Sequence, residues 1–235
     1  MKAGVVVFPG SNCDHDCYHV LKHVLGCDTV FLWHDGTDLD GCDLILLPGG
    51  FAYGDYLRAG AMAAHASIMT EVRRHAERGG LVLGICNGFQ MLTEAGMLPG
   101  ALCRNAAQRF LCQDVYLRVE RDDTPYTHGY EQGQVLRMPI SHAEGRYDAP
   151  AEIIDDLENE GRVVFRYVDA SGAVTEAGNP NGSKGSIAGI INPAGNVLGM
   201  MPHPDRCAEA ILGGDDGLAL FTAAIEHGVQ QMGAS

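Results

Sequence analysis

The sequence predicts a three-layer α/β fold, in which helices flank a mostly parallel sheet and extra strands follow in the second half. Over residues 3–95, short apolar segments alternate with segments of helical periodicity. Strands that are apolar on both faces are typical of a parallel sheet covered by helices, so this alternation predicts the three layers. No linker, repeat or low-complexity segment interrupts the chain, which predicts a single domain over residues 1–235.

The first half is predicted to combine four strands with three helices. Each apolar segment ends at or near a glycine or a proline, and these residues are typical of tight turns. In the helical segments, apolar residues recur at intervals of three and four. The predicted strands are residues 3–8, 29–33, 44–47 and 81–85, and the predicted helices are residues 14–25, 61–77 and 88–95.

The second half is predicted to consist mainly of strands. Two of its apolar segments flank residues 192–196, which contain Pro, Gly and Asn and therefore predict the turn of a hairpin. The predicted elements are strands at residues 115–119, 134–140 and 162–168, a hairpin of residues 187–191 and 197–201, and a final helix at residues 217–227.

Charge and composition argue against several classes of function. The chain has 30 acidic residues and 16 lysines and arginines, so its formal charge of −14 argues against nucleic acid as a partner. Its longest apolar runs are far shorter than the roughly 20 residues that span a bilayer. The amino-terminal segment has no signal-peptide pattern, so we expect a cytoplasmic protein whose eight cysteines are reduced.

A candidate nucleophile, Cys86, lies between Gly84 and Gly88, after a predicted strand and before a predicted helix. Glycines two residues before and after a nucleophile form an elbow pattern, because larger side chains would clash in so sharp a turn. The N-terminus of the helix would favour a thiolate at this position. The pattern predicts a nucleophilic thiol, although a structural cysteine beside two glycines would give the same sequence.

A candidate base, His203, lies far along the chain between Pro202 and Pro204. The two prolines favour an extended backbone, in which residues two positions apart share a face. His203 and Asp205 are therefore expected to project in the same direction, as an imidazole and its orienting carboxylate must. The sequence predicts that Cys86, His203 and Asp205 act together.

Gly49 and Gly50 directly follow the third predicted strand. Glycines there allow backbone amides to face a ligand, which is a common way to build an oxyanion hole, although a plain turn has the same sequence. Sites in parallel sheets gather at the carboxyl ends of strands, where both these glycines and Cys86 are expected.

The residues Cys13, His15, Cys17 and His19 have alternating spacing that suggests metal ligands. Their order matches no common zinc spacing, and helical periodicity explains Cys17 as a core residue. We therefore expect no metal on this chain.

His142 is an alternative to His203 as the base, because Glu144 lies two residues further on. We rank His142 with Glu144 second, after His203 with Asp205, as the catalytic base and its carboxylate. A role in binding or at an interface is favoured for His142, Glu144 and the nearby Arg146.

Taken together, these motifs resemble the class I glutamine amidotransferases, which have a flavodoxin-like fold. The resemblance is closest to the glutaminase subunits that serve formylglycinamidine ribonucleotide synthesis in purine biosynthesis. The family pattern has glutamate where this chain has Asp205, which shortens the reach of the carboxylate by roughly 1.5 Å. The resemblance covers nearly the whole chain and rests on segments 8–14, 48–60, 84–90, 142–146, 179–183 and 199–204.

The resemblance implies a reaction in which Cys86 forms a thioester with glutamine and releases ammonia and then glutamate. It implies that backbone amides near Gly50 and Asn87 form the oxyanion hole and that Gln90 positions the substrate. It further implies a synthetase subunit as partner, together with a small third subunit in many bacteria. ATP and magnesium would belong to the synthetase, because no nucleotide-binding motif occurs in this sequence.

Two alternatives remain open at this point. The chain could be a cysteine hydrolase of another class on the same architecture, such as a peptidase or a deglycase-like enzyme. It could also be a non-catalytic binding subunit in which Cys86 is structural.

Overall fold

The computed structural model describes residues 1–233. Within them, the strands are β1 (Lys2–Val7), β2 (Asp28–Trp33), β3 (Leu44–Leu47), β4 (Leu81–Ile85), β5 (Ala101–Cys103), β6 (Leu111–Val119), β7 (Val135–His142), β8 (Arg146–Asp148), β9 (Val163–Val168), β10 (Ile187–Ile191) and β11 (Val197–Met200). The α-helices are α1 (Asp14–His19), α2 (Ser67–Glu77), α3 (Asn87–Glu94), α4 (Ala151–Asn159) and α5 (Leu218–Gly233), and α1 continues as a π-helical turn over Val20–Val24.

Nine of these strands form one mixed sheet in the order β2-β1-β3-β4-β11-β10-β9-β6-β7. The neighbouring pairs from β2 to β11 are parallel, whereas the pairs from β11 to β7 are antiparallel. Every residue of β3, β4, β10 and β11 is buried, as expected for strands covered on both faces. The predicted three-layer α/β fold, with extra strands in the second half, is confirmed.

Some predicted boundaries are wrong. The helix predicted at residues 61–77 begins only at Ser67, because Ala66 is extended with a ψ of 149° and the residues before it form a short 3-10 turn. Strand β6 begins at Leu111 rather than at residue 115, and its first half carries exposed polar side chains that hide the apolar pattern. Helix α4 and the short strands β5 and β8 were not predicted.

The antiparallel half of the sheet contacts the carboxyl ends of the parallel strands, although β7 is last in the strand order. The backbone N–H of His203 donates to the carbonyl of Pro139 at 2.9 Å, and the Cys86 thiol lies 3.8 Å from the carbonyl of Ser141. Strand β7 therefore lies against the carboxyl ends of β4 and β11.

Gly88 allows α3 to approach β3 very closely. A Cβ atom at this position would lie 1.9 Å from the carbonyl oxygen of Leu47, which is far below van der Waals contact. Only glycine fits here, so the packing of α3 on the sheet depends on this residue.

No helix among residues 1–233 is long and apolar enough to span a membrane. The cytoplasmic location stays a prediction.

We predict that Gly88→Ala lowers the free energy of unfolding by about 1–3 kcal/mol or more, because the added methyl group must separate α3 from β3. Urea denaturation provides the measurement. Gly129→Ala is the matched control, because its Cβ would meet its nearest atom at an ordinary 3.4 Å, and we expect a change within about 0.5 kcal/mol. Equal effects of the two substitutions would contradict the proposed close packing.

Candidate active site

The carboxyl ends of β3, β4 and β11 bring together the residues that the sequence singled out. A Cβ atom placed on Gly49 would lie 2.6 Å from Cε1 of His203, 3.2 Å from Sγ of Cys13 and 3.4 Å from Cβ of Cys86. The imidazole and both cysteines therefore surround the same point. Gly49 leaves room for them because it has no side chain.

Cys86 occupies a strained turn between β4 and α3. Its φ of 50° and ψ of −103° lie in a region that residues with a side chain seldom adopt, and such strain is typical of functional sites. A Cβ atom on Gly84 would lie 2.6 Å from Cδ1 of Leu92, which explains this glycine of the elbow. The thiol is buried beside the first turn of α3, whose free N–H groups favour negative charge.

His203 and Asp205 are both buried and in contact. Nδ1 of His203 lies 3.2 Å from Oδ1 and 3.4 Å from Oδ2 of the aspartate. The backbone is extended at His203, as predicted, but Pro204–Arg206 forms a 3-10 turn. This turn, rather than a fully extended chain, brings the short carboxylate directly to the imidazole.

The charge of Asp205 governs the protonation of His203. Burial alone would lower the pKa of the imidazole, but Asp205 and the nearby Cys86 sulfur raise this pKa well above its usual value. Nε2 of His203 is buried and has no hydrogen-bond partner among the described residues. An imidazolium held in this way stabilises a neighbouring thiolate.

The predicted oxyanion donors, Gly50 and Asn87, directly follow Gly49 and Cys86 in the chain. Gly50 has a φ of +128° and pairs with Ser11 in an isolated antiparallel bridge. A Cβ atom on Gly50 would lie 2.7 Å from the backbone nitrogen of Asn12, so a larger residue is excluded. Asn87 is the first residue of α3, where backbone N–H groups have no partner within the helix.

The side chains of Asn87 and Gln90 connect the elbow to two loops. The Asn87 amide accepts from the backbone N–H of Ala52 at 3.1 Å and donates to Gln90 at 2.8 Å and to Asp55 at 3.2 Å. Gln90 in turn donates to the carbonyl of Glu144 at 2.6 Å. Both polar atoms of Gln90 are thus engaged within the protein, and its contact with substrate stays a prediction.

His142 lies beside the site but faces another residue. Its Nδ1 lies 3.1 Å from Oδ1 of Asn105. Burial, followed by the charge of His203, lowers the pKa of His142 to about 4, so this imidazole is neutral near pH 7. Of the two candidate bases, His203 is therefore the one that carries an orienting carboxylate.

Glu144 and Arg146 lie at the edge of the site. The Glu144 carboxylate accepts from the backbone N–H of Ala59 at 3.3 Å and lies 3.6 Å from Nε of Arg104. Arg146 donates to the carbonyl of Arg104 at 3.2 Å and lies 3.7 Å from Asp148. All but the Arg146–Asp148 contact join segments distant in the chain, and the predicted binding role of Glu144 and Arg146 stays a prediction.

The predicted cysteine and histidine ligands on α1 separate in the structure. Cys13 and Cys17 are buried, whereas the side chains of His15 and His19 are 82% and 51% exposed. The four residues therefore do not form one site. Cys13 instead lies next to His203, and its sulfur accepts from a guanidinium N–H of Arg206 at 2.9 Å.

Sequence reasoning gave no role to two buried asparagines that support the site, although Asn181 lies in segment 179–183, on which the family resemblance rests in part. Asn105 donates to the carbonyl of His142 and accepts from the backbone N–H of Gly145. Asn181 donates to the carbonyl of Gly145 at 2.9 Å. Both asparagines lie in polar loops whose composition indicates turns, so their burial had no local signal.

Asp55, at the rim of the site, has a carboxyl group with a raised pKa. Burial and then the charge of Glu144 raise the pKa of Asp55 to about 6, although the hydrogen bond from Asn87 lowers it. The residue has a positive φ of 52° and lies in a loop with exposed Tyr56 and Leu57.

We predict that Asp205→Asn slows the alkylation of Cys86 by iodoacetamide at pH 7. Without the carboxylate, the pKa of His203 falls and the imidazolium that stabilises a thiolate is lost at that pH. Peptide mass spectrometry measures the modification of each cysteine separately. Asp155→Asn, on an exposed residue of α4, is the control, and an unchanged rate in the Asp205 variant would refute the pairing.

We also predict a pH-dependent stability difference between the wild type and Asp55→Asn. Because the folded-state pKa of Asp55 is raised to about 6, its ionisation disfavours the folded state. The stability of the wild type relative to the variant should therefore fall from about pH 4 to about pH 7, by on the order of 1 kcal/mol after solvent screening. Urea denaturation across this range tests it, and parallel pH profiles would count against the shifted carboxyl.

Comparisons with known proteins agree with this geometry. A family model described as the CobB/CobQ-like glutamine amidotransferase domain matches residues 1–213. A curated relative from Salinibacter ruber, named phosphoribosylformylglycinamidine synthase subunit PurQ, is 54% identical over 95% of each chain. A relative of the same name from Moorella thermoacetica is 57% identical over 96% of each chain.

Solved structures show the same architecture. A chain in the structure of PurLQS from Thermotoga maritima aligns with a TM-score of 0.85 and 45% identity, covering 96% of this chain and 98% of that chain. A glutamine amidotransferase from Thermotoga maritima, 16% identical, shares the fold with a TM-score of 0.57 over 97% of this chain and 92% of its own. The chain belongs to the CobB/CobQ-like glutamine amidotransferase family.

Proposed function

We propose that this chain is the glutaminase subunit of phosphoribosylformylglycinamidine synthase. It hydrolyses glutamine and delivers the ammonia to a synthetase subunit. The observation that carries this proposal is the meeting of Cys86 and His203 at one sheet end, in a chain more than half identical along nearly its whole length to curated subunits of that enzyme.

The first step is attack of the Cys86 sulfur on the side-chain amide carbon of glutamine. His203 takes the proton of the Cys86 thiol as the sulfur attacks. Asp205, in contact with Nδ1, holds the ring in one tautomer and orientation. The strained turn at Cys86 presents the sulfur beside the helix N-terminus, so little rearrangement precedes the attack.

The tetrahedral intermediate carries a negative oxygen. Backbone N–H groups of Asn87 and Gly50 are the candidate donors to it, and one such donor typically contributes about 3 kcal/mol to lowering the barrier. When the C–N bond breaks, His203 gives its proton to the leaving nitrogen and ammonia departs. Water, deprotonated by His203, then attacks the thioester and releases glutamate and the Cys86 thiol.

The ammonia is consumed by a partner. The aligned solved structure is titled as a PurLQS assembly, and the curated relatives are named as subunits of a synthase. We infer that this chain works with a synthetase and a small third subunit. The synthetase would bind ATP and magnesium to form the amidine, and this chain would bind neither.

The chain is also proposed to form one amidotransferase domain. The nine-stranded sheet includes residues from Lys2 to Met200, and the early strand β4 pairs directly with the late strand β11. Separate folding of two halves would break the β4–β11 pairing.

We predict that Cys86→Ala abolishes glutamine-dependent amidine synthesis by the reconstituted complex, while synthesis from added ammonium salt continues at the wild-type rate. The substitution removes the nucleophile but leaves the synthetase chemistry intact. Product formation with each nitrogen source is the measurement. Cys112→Ala, at an exposed cysteine of β6, is the matched control and should keep both activities.

Retention of glutamine-dependent synthesis in the Cys86 variant would overturn the proposed function. Glutamine-independent turnover of peptides or glycated substrates by the isolated chain would instead favour a hydrolase of another class.

A further inference from the structure

A second group of ligand-type side chains lies beside the proposed nucleophile. The Cys13 sulfur, a ring nitrogen of His203 and a carboxylate oxygen of Asp205 all lie within 4.8 Å of one another. All three residues are buried, with at most 4% of each exposed to solvent. We call these residues the Cys13 cluster, and the proposed reaction uses only two of them.

The Cys13 cluster contains polar atoms that the protein leaves unsatisfied. Nε2 of His203 is buried without a hydrogen-bond partner among the described residues, and Oδ1 of Asp205 has only its 3.2 Å contact with Nδ1 of His203. A buried polar atom in this state costs free energy, and a ligand that satisfies it recovers that cost.

The donor set of the cluster suits a borderline divalent metal ion. Thiolate, imidazole and carboxylate are the ligands that zinc takes in proteins, with bond lengths of about 2.0–2.3 Å. Ligand atoms around a tetrahedral ion with these bonds lie roughly 3.3–3.8 Å apart. Atoms at the 4.8 Å limit would need to approach by about 1–1.5 Å, which side-chain rotation can supply.

Arg206 influences both the charge and the access of the cluster. Its guanidinium donates to the Cys13 sulfur at 2.9 Å, but burial outweighs this contact and raises the pKa of the Cys13 thiol, so a metal ion must displace the thiol proton on binding. The same positive charge opposes a cation, so the guanidinium must move away on binding. Its Nε already lies 3.2 Å from Asp16, and its side chain is 35% exposed, so an outward position is available.

We propose that the Cys13 cluster is an inhibitory site for zinc or a chemically similar divalent ion. The ion displaces the protons of the Cys13 thiol and of the His203 imidazolium to solvent, and it coordinates the Cys13 sulfur, His203 and Asp205. The imidazole lone pair is then no longer available to take a proton, and Asp205 no longer orients the ring. Cys86 is not a ligand, so the metal blocks the base without touching the nucleophile.

Metal binding does not depend on the proposed function, whereas its inhibitory consequence does. The test therefore begins with binding. The full-length chain is titrated with cobalt(II) in place of zinc, and the thiolate-to-cobalt charge-transfer band in the near ultraviolet is recorded. The variants are Cys86→Ala, Cys13→Ser and Cys112→Ser, the last as a control for adventitious binding at an exposed thiol.

We expect the band in the wild type, in Cys86→Ala and in Cys112→Ser, and its loss in Cys13→Ser. Zinc should displace the cobalt and abolish the band. Absence of the band from the wild type, its persistence in Cys13→Ser or its loss in Cys86→Ala would each overturn the proposal. The last outcome would assign the metal to the nucleophile instead.

A second measurement applies if Cys13→Ser does not fold. X-ray absorption of zinc-loaded Cys86→Ala should show one sulfur at about 2.3 Å together with nitrogen or oxygen ligands at about 2.0 Å, and a shell with no sulfur or several would overturn the site. Zinc should also inhibit glutamine-dependent synthesis by the complex, with recovery on chelation. Binding without this inhibition would overturn the inhibitory role alone.

Discussion

The contact between α3 and β3 at Gly88 is the constraint on which the rest of the site depends. With no Cβ at this position, the helix can begin immediately after β4 and still lie against the carbonyl of Leu47. The chain must therefore turn within a single residue, Cys86, whose positive φ follows from that geometry. The position of the thiol and its closeness to a helix N-terminus are consequences of one steric condition.

The antiparallel half of the sheet supplies contacts that hold the site at the ends of the parallel strands. Strand β7 supplies the carbonyl of Pro139 that holds the backbone of His203, and the carbonyl of Ser141 that lies near the thiol. Asn105 and Asn181 hold the following loop through Gly145. The extra strands are thus part of the site, and a doubly wound sheet without them would leave the imidazole exposed on one side.

The sequence alone predicted the parts of the structure that depend on local chemistry. The bounds of β3 and β4 were correct because Pro48 and Gly49 follow the apolar residues of β3 and Gly79 and Gly80 precede those of β4. The nearness of Cys86 to His203 followed from strand ends and turns. Asn105 and the pairing of Cys13 with Arg206 could not be predicted. These contacts join residues far apart in the chain, and their residue types occur equally in solvent-exposed loops.

The geometry around Asp205 limits which acidic residue this position can carry. Its short side chain meets the imidazole directly because Pro204–Arg206 curls into a turn. A longer acid on the same backbone would need more room beside the ring, and the Gly49 side offers little, because a Cβ atom there would lie 2.6 Å from Cε1. Exchange between aspartate and glutamate at this position therefore requires a compensating change in the turn, and the two should evolve as a pair.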